Sequence, residues 1–224
     1  MGMQGVSINK FSTCLLFLII MMGTGCQTYK GYYYSSFDAD RPRIYEYSCK
    51  ADPTRTQYWR MTSDHNSLIT EAYDANFTQF ELIKEAFNHE GSVLVSYINF
   101  DDKGDRLHRD IQKTDIYKWK KDGPYEYAIE YENNGERVFF LKEREYIGVA
   151  KVNVLGADYD CLKFKGTYKF GLVGEPAEYE YYQYSYYAKG LGMVKYERYF
   201  PDGESIVLEL TEIYDDQEWK RRIN

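Results

Sequence analysis

Acidic side chains and histidines are the residues of this 224-residue chain that could act in catalysis or bind a metal. The histidines, His65, His89 and His108, lie in polar, turn-like sequence and lack the intervals of a structural zinc site. Glycoside hydrolysis uses paired carboxylates, and alternation along a strand would place such pairs on one face. These pairs are Glu143 with Glu145 and Glu178 with Glu180. Acids that alternate outward on strands also serve solubility, so we expect no metal site, no cofactor and no catalytic residue.

The overall charge and the missing motifs narrow the function classes further. The chain carries 35 acidic and 28 basic residues, for a net charge of −7. An acidic chain without a basic run has too little positive charge to bind phosphate backbones, so we expect no nucleic-acid partner. The sequence contains neither a glycine-rich phosphate loop before a helix nor a G-x-S-x-G elbow. A non-catalytic binding or scaffolding role is therefore favoured, and a carbohydrate-active enzyme is the alternative.

Tyrosines are the most abundant candidates for binding, and 25 of them occur in the chain. They are densest between residues 178 and 199, in the stretch EYEYYQYSYYAKGLGMVKYERY. Alternation along a strand divides them between two faces. The first face carries Tyr182, Tyr184 and Tyr186, and the second carries Tyr179, Tyr181 and Tyr187. We predict the first face as a ligand surface and the second as the packing face; the alternative is a sheet whose polar face is simply rich in tyrosine.

Short alternating segments separated by turn residues predict an antiparallel β fold. The clearest segment is residues 125–132, where Tyr125, Tyr127, Ile129 and Tyr131 share one face. Asn134-Gly135 follows and suits a type I′ turn. Residues 78–87 could form a strand or an amphipathic helix, and the strand is favoured. The fold class is all-β: a single antiparallel domain of many short hairpin-connected strands, forming a curved sheet, a half-barrel or a sandwich.

The segment from Phe11 to Cys26, FSTCLLFLIIMMGTGC, is uncharged and mostly apolar as far as Met22. A bilayer core takes roughly 20 apolar residues as helix, so this segment is too short to span it, and it fits a secretory signal peptide. Its small residues before Cys26 resemble a bacterial lipoprotein signal, although Gly23 stands where such signals prefer an aliphatic residue. The resemblance implies a diacylated Cys26 at the new N-terminus. Ordinary cleavage after Gly25 and an uncleaved anchor are the alternatives.

Two further resemblances concern location and fold. Gln27 follows Cys26, whereas enteric-type lipoproteins kept at the inner membrane have aspartate there, so the resemblance implies the outer membrane. The segment YYAKGLGMVKYERYFPDGESIVLEL resembles the closing hairpin of uncharacterised bacterial envelope lipoproteins. It is similar, more faintly, to the curved sheet of lipoprotein-localisation factors, which hold acyl chains. That second likeness implies the carriage of acyl chains, or of another apolar ligand, as an alternative function.

Four segments describe the chain: a signal peptide at 1–25, a lipidated tether at 26–42, the β domain at 43–214 and a polar C-terminal tail at 215–224. The tyrosines at 32–34 could instead lie against the membrane interface. Cys49 and Cys161 remain in the β domain, and an exported location permits a disulfide between them, although two free thiols are favoured. The expected partners are the lipid bilayer, through acylated Cys26, and an apolar or carbohydrate ligand.

The lipid anchor is testable at one residue. Expressed in bacteria with its own signal, the chain should partition into detergent, because acyl chains gain about 0.8 kcal/mol for each methylene buried in the membrane. Cys26→Ala should abolish this partitioning, whereas Cys14→Ala, within the apolar core of the signal, should leave it unchanged. Mass spectrometry should find an acylated Cys26 at the mature N-terminus; an unmodified Cys26 there would contradict the assignment.

Overall fold

The computed structural model describes residues 29–34, 41–101, 103–120 and 123–223. The signal segment and Cys26 lie outside the described residues. No helix among those described is long and apolar enough to cross a membrane. The strands and the helix are β1 (Arg43–Ser48), β2 (Gln57–Ser63), β3 (Ser67–Tyr73), β4 (Gln79–Phe87), β5 (Gly91–Phe100), β6 (Arg106–His108), β7 (Asp110–Lys118), β8 (Tyr125–Asn133), β9 (Glu136–Val154), β10 (Ala157–Leu172), β11 (Tyr179–Ala188), β12 (Gly192–Tyr199), β13 (Ser205–Asp215) and α1 (Asp216–Ile223).

All strands belong to one antiparallel sheet that closes on itself. Among the described residues the order is β4-β3-β2-β1-β13-β12-β11-β10-β9-β8-β7-β5, and β4 pairs with β5 to complete a ring of twelve strands. Strand β6 pairs with the C-terminal end of β5, and β7 pairs with its N-terminal end. The all-β prediction is confirmed, and the architecture is a closed barrel rather than an open curved sheet or a sandwich.

Local sequence explains the hairpins. Asn134 and Gly135 both have positive φ, 52° and 84°, as the predicted type I′ turn between β8 and β9 requires. Leu155 and Gly156 form a second pair of this kind between β9 and β10, with φ of 51° and 78°. Residues 79–87 form strand β4, which confirms the favoured interpretation of that segment.

Large aromatic side chains fill the interior because a ring of twelve strands is wider than the roughly eight-stranded barrels that ordinary side chains can fill. Tyr45, Tyr47, Tyr117 and Tyr196 are fully buried. Burying a phenol costs free energy unless its hydroxyl finds a partner, and of these four only the Tyr117 hydroxyl finds none among the described residues. The Tyr45 hydroxyl donates to the Leu191 carbonyl at 2.7 Å, and the Tyr47 hydroxyl donates to the Met193 carbonyl at 2.8 Å.

Residues 29–34 fill one end of the barrel, and we call them the plug. The Tyr29 amide donates to the Trp119 carbonyl at 2.7 Å, and the Gly190 amide donates to the Gly31 carbonyl at 2.9 Å. Tyr33 and Tyr34 are 3% and 4% exposed. The sequence assigned this stretch to a tether and left open a place at the membrane interface. The tether assignment is wrong for residues 29–34, and burial in the barrel excludes the Tyr33 and Tyr34 rings from the membrane interface, whereas Tyr32 is half-buried.

Gly192 makes room for the plug. Its φ is +85°, and a Cβ atom there would lie 2.2 Å from the Tyr34 ring. Only glycine satisfies both conditions, since other residues resist this backbone region and would displace the tyrosine. The Gly-x-Gly sequence, which resembles a hairpin feature of envelope lipoproteins, therefore serves the contact between β12 and the plug.

The last residues form helix α1 rather than the expected polar tail. Asp215 caps the helix by accepting from the amides of Gln217 and Glu218 at 2.9 and 2.8 Å. Trp219 is 3% exposed and packs outside the barrel against Tyr58 and other aromatic residues. The segment is mainly polar in sequence because only Trp219 packs it against the apolar residues of the barrel.

The plug should contribute strongly to stability. Tyr33→Ala should lower the free energy of unfolding by about 3–5 kcal/mol, as large-to-small changes at buried aromatic residues do. Tyr179→Ala, at a ring that is 43% exposed on the rim, should cost less than about 1 kcal/mol. Urea denaturation of the two variants and the wild type measures this difference, and equal small losses would show that the plug is not part of the folded barrel.

Candidate functional site

The barrel encloses a cavity of about 380 Å³ between the plug and the opposite end. The plug contributes Tyr33 and Tyr34 to its wall. Strands β8 to β11 contribute most of the remaining aromatic rings, and Tyr168 and Tyr181 stack with centroids 4.5 Å apart and planes 11° apart. Further rings in the wall are Trp59, Phe80, Tyr97, Tyr127, Tyr131, Phe140, Phe170, Tyr187 and Tyr196.

Three cationic side chains line this cavity: Lys142, Arg144 and Arg198. The Lys142 ammonium lies 4.7 Å from the Tyr168 ring centroid and 5.7 Å from that of Tyr127. It makes no hydrogen bond or salt bridge with any described residue, and the part of its side chain that remains accessible lines the cavity. Contact with two ring faces is therefore its main stabilising interaction.

The guanidinium groups are held by neutral partners. Arg144 Nη1 donates to the Tyr187 hydroxyl at 3.1 Å, while Arg144 Nε is buried and finds no partner among the described residues. Arg198 Nε donates to Gln183 Oε1 at 2.8 Å, and its guanidinium carbon lies 5.1 Å from the Tyr196 ring centroid. In the described part of the chain neither arginine forms a salt bridge with a carboxylate.

Two carboxylates on β4, Glu81 and Glu85, also face the interior. Glu85 Oε2 accepts from the Tyr33 hydroxyl at 2.6 Å and from Ser92 Oγ, and Glu81 Oε2 accepts from the Tyr97 hydroxyl. Burial raises the pKa of both carboxyl groups, and these hydrogen bonds oppose part of the increase. Hydroxyl donors thus make the direct hydrogen bonds to the acids, while the charges of Lys142, Arg144 and Arg198 also oppose the increase in the carboxyl pKa values.

The electrostatics of Lys142 follow from its neighbours. Burial lowers its pKa well below the ordinary value, and the charges of Arg144 and Arg198 lower it further. Glu81 and Glu85 raise it, but not enough to compensate. Lys142, Arg144 and Arg198 are therefore grouped in a water-poor space, and none of them forms a salt bridge with a described carboxylate.

The cavity extends toward the barrel end opposite the plug. A surface depression there is lined by the loop before β2 and the start of β13, and it shares Gln57, Phe80 and Arg198 with the interior cavity. Gln57 Oε1 accepts from the Tyr196 hydroxyl at 2.7 Å. The cavity and the depression therefore adjoin at these three residues.

The predicted ligand surface lies on the outer face of the barrel. Tyr182 is 37% exposed, whereas Tyr186 is only 7% exposed because Lys163 and Lys195 cover its ring and its hydroxyl donates to Glu197. Tyr184 lies between them, with the Lys163 ammonium 4.1 Å from its ring centroid. The two faces of β11 are thus separated as alternation predicts, and the binding role of the outer face stays a prediction.

The rings assigned to packing are those that line the cavity. Tyr181 and Tyr187 point inward, and Tyr187 accepts the hydrogen bond from Arg144. Tyr179 lies at the rim and is exposed. The inner face of β11 therefore forms part of the cavity wall and does not only pack the core.

The remaining candidate residues do not assemble into a site. Cys49 and Cys161 are free and buried, and burial raises the pKa of the Cys161 thiol to about 11. Among the described residues no group of histidine, cysteine or acidic side chains could hold a metal ion. The residues His65, His89, His108, Glu143, Glu145, Glu178 and Glu180 are all exposed.

Sequence reasoning missed Lys142 and Arg144, although a signal for them exists. The turn at Asn134-Gly135 fixes the register of the hairpin, and it sets Tyr127 opposite Lys142 and Tyr125 opposite Arg144. Residues directly opposite each other point to the same face of a sheet. The alternation of residues 125–132 placed these tyrosines on one face of β8, and the structure shows that this face points inward, so the two cations lie there as well.

Comparisons with known proteins support the fold. Neither a family model nor a curated protein matches the chain. A predicted lipoprotein from Parabacteroides distasonis is similar in structure, with a TM-score of 0.51 and 13% sequence identity over 80% of this chain and 98% of that one. A predicted exported protein with a YmcC-like fold from Bacteroides fragilis gives a TM-score of 0.46 at 14% identity, covering 78% and 94%. The hypothetical lipoprotein YmcC from Escherichia coli gives 0.35 at 7%, covering 76% and 83%.

Glu85 provides a test of the buried electrostatics. Its pKa in the folded chain is raised above the ordinary 4.5, so its contribution to stability is present below that pH and is lost as the pH rises through the folded pKa. Glu85→Gln avoids burying a charge. The free energy of unfolding of this variant should therefore rise relative to the wild type as the pH increases from about 4 to about 7.

Urea denaturation across this pH range measures the difference. Glu132→Gln is the control, because Glu132 is exposed on the same sheet and should show a constant difference. A constant difference for Glu85→Gln too, or one of opposite sign, would contradict the burial of an ionisable Glu85.

Proposed function

We propose that this chain is a lipid-anchored envelope protein that binds a small ligand inside its barrel without transforming it. The observation that carries the proposal is the interior cavity, whose volume lies within the range of about 300–1,000 Å³ typical of ligand sites. Its wall combines many rings with a few polar groups, as ligand sites do. The similarly folded Parabacteroides protein is described as a predicted lipoprotein, which supports an envelope location.

The plug adds an orientation to this proposal. Only three peptide steps separate Cys26 from Tyr29, and an extended chain spans about 3.3–3.6 Å per residue. Tyr29 is hydrogen-bonded at the plugged end of the barrel. An acylated Cys26 would therefore hold this end within about 10 Å of the membrane surface, and the end with Arg198 would face away from it. In a two-membrane cell the outer membrane is the favoured anchor site.

Carriage of acyl chains is less well supported than binding of a polar, ring-containing molecule. A methylene chain in this cavity would lie against Glu81, Lys142 and Arg198 and would exclude water from their charged groups without offering them a polar partner. The surface depression that adjoins the cavity also lies at the end away from the proposed anchor. An aromatic or sugar-like ligand could stack on the rings and use the polar groups.

A glycoside hydrolase is likewise less well supported. The two interior glutamates, Glu81 and Glu85, stand four residues apart on one strand, which places their Cα atoms about 13 Å apart. Known mechanisms place the carboxyl pair at about 5–9.5 Å. The exposed pairs on β9 and around the start of β11 face solvent instead of a cleft. We therefore propose a binding protein.

A neutral aromatic probe tests the cavity as a binding site. Phenethyl alcohol should bind the full chain in detergent with a stoichiometry of about one, as measured by isothermal titration calorimetry against empty micelles. Ile83→Trp, which fills the cavity from β4, should abolish binding. Tyr184→Ala, on the outer face of β11, should leave binding unchanged. Absence of binding, or loss of binding in Tyr184→Ala alone, would contradict the proposal.

A further inference from the structure

We infer that the ligand of this cavity is an anion, a small molecule with a carboxylate or similar acidic group beside a ring, and that Lys142, Arg144 and Arg198 receive its charge. The inference rests on the proposed function, since it assigns a ligand class to the same cavity. It goes further because it names the side chains that would select that class.

The first support is the lack of counter-ions. In the described part of the chain, lysines and arginines on the outer surface form salt bridges with carboxylates. Examples are Lys50, Arg60, Lys113, Arg137 and Lys195. Among the described residues, Lys142, Arg144 and Arg198 contact ring faces, one hydroxyl, one carbonyl and one amide oxygen, and Glu81 and Glu85 attract them without forming a salt bridge. A buried cation without a paired anion is costly, and such groups are retained mainly at functional sites.

The second support is the grouping of these cations. The charges of Arg144 and Arg198 each disfavour the protonated form of Lys142, so the three lie close enough to repel one another. A bound carboxylate would replace this repulsion by attraction and would add to the opposing effect of Glu81 and Glu85. An anion in this cavity is therefore electrostatically favoured.

The interior glutamates do not remove this preference. With every group ionised, three cations face two carboxylates, and burial favours the neutral form of both acids. Burial favours the neutral form of Lys142 as well, but both arginines stay charged, so the described interior is positive when all groups are ionised and also when the acids and Lys142 are all neutral. Because Tyr33, Ser92 and Tyr97 satisfy the glutamates, the cations remain available to a ligand.

The third support is the position of Arg198. It lines both the interior cavity and the depression at the barrel end opposite the plug. The Tyr168 and Tyr181 rings stack beside Lys142 in the same interior cavity. A molecule with an acidic group and a ring would match this arrangement.

The test compares phenylacetate with phenethyl alcohol, which share a ring and differ in the charged group. Calorimetry on the full chain in detergent should give an affinity about tenfold or more higher for phenylacetate. Lys142→Met should remove most of the higher affinity for phenylacetate and leave the affinity for phenethyl alcohol unchanged. We expect the same two results for Arg198→Gln. Lys165→Met, at a lysine over Tyr182 on the outer face, is the matched control and should bind both probes like the wild type.

The outcomes separate this inference from the proposed function. Equal affinities for the two probes, or an unchanged preference in both cavity variants, would overturn the anion inference while leaving a ligand-binding cavity. Failure of both probes to bind would overturn the proposed function and the inference together. Lys142→Met should fold at least as stably as the wild type, because it removes a buried repulsive charge, and a circular dichroism spectrum and urea midpoint verify this.

Discussion

The structure depends on how a wide closed sheet fills its own interior. Twelve strands leave more space than aliphatic side chains occupy, and an empty interior would forfeit the dispersion contacts that stabilise a core. Tyrosine suits this requirement, since its ring is large and its hydroxyl can reach a carbonyl, a carboxylate or a guanidinium. Tyr47, Tyr33 and Tyr187 use these three kinds of partner in turn.

The plug follows from the same constraint. Side chains from the strands alone do not close the barrel end near Trp119, and residues 29–34 add aromatic rings there. Gly192 has no side chain at the contact, which lets the Tyr34 ring approach the backbone of β12. What remains unfilled is the cavity, and its charged side chains distinguish it from a packing defect. Apolar voids in cores carry no such groups.

Much of the fold was predictable from the sequence because strands and tight turns leave local patterns. Residues 125–132 alternate, and Asn134-Gly135 is a strong hairpin signal, so both elements were correctly assigned. Closure of the sheet was not predictable, since it depends on the pairing of β4 with β5 and on the summed twist of all strands. The plug and helix α1 were missed for other reasons: the plug is a short run of tyrosines without a sustained period, and helix α1 is mainly polar in sequence and held by Trp219.

The candidate site was only half predictable. Alternation separated the two faces of β11 correctly, but nothing local reveals which face lies inside a closed barrel. Tyr182 on the outer face and Tyr181 on the inner face are flanked by similar residues in the sequence, so their local sequence does not distinguish them. The cations on β9 were hidden because lysine and arginine on a strand normally face water, and only the hairpin register sets them opposite inward tyrosines.

The most direct measurement of the central claim is nuclear magnetic resonance of the full chain with labelled tyrosine rings, titrated with phenylacetate. A ligand inside the barrel predicts that the ring signals of Tyr168 and Tyr181 shift with increasing ligand, while those of Tyr182 and Tyr184 on the outer face stay in place. Shifts confined to Tyr182 and Tyr184 would contradict the account and would place binding on the outer surface of the barrel.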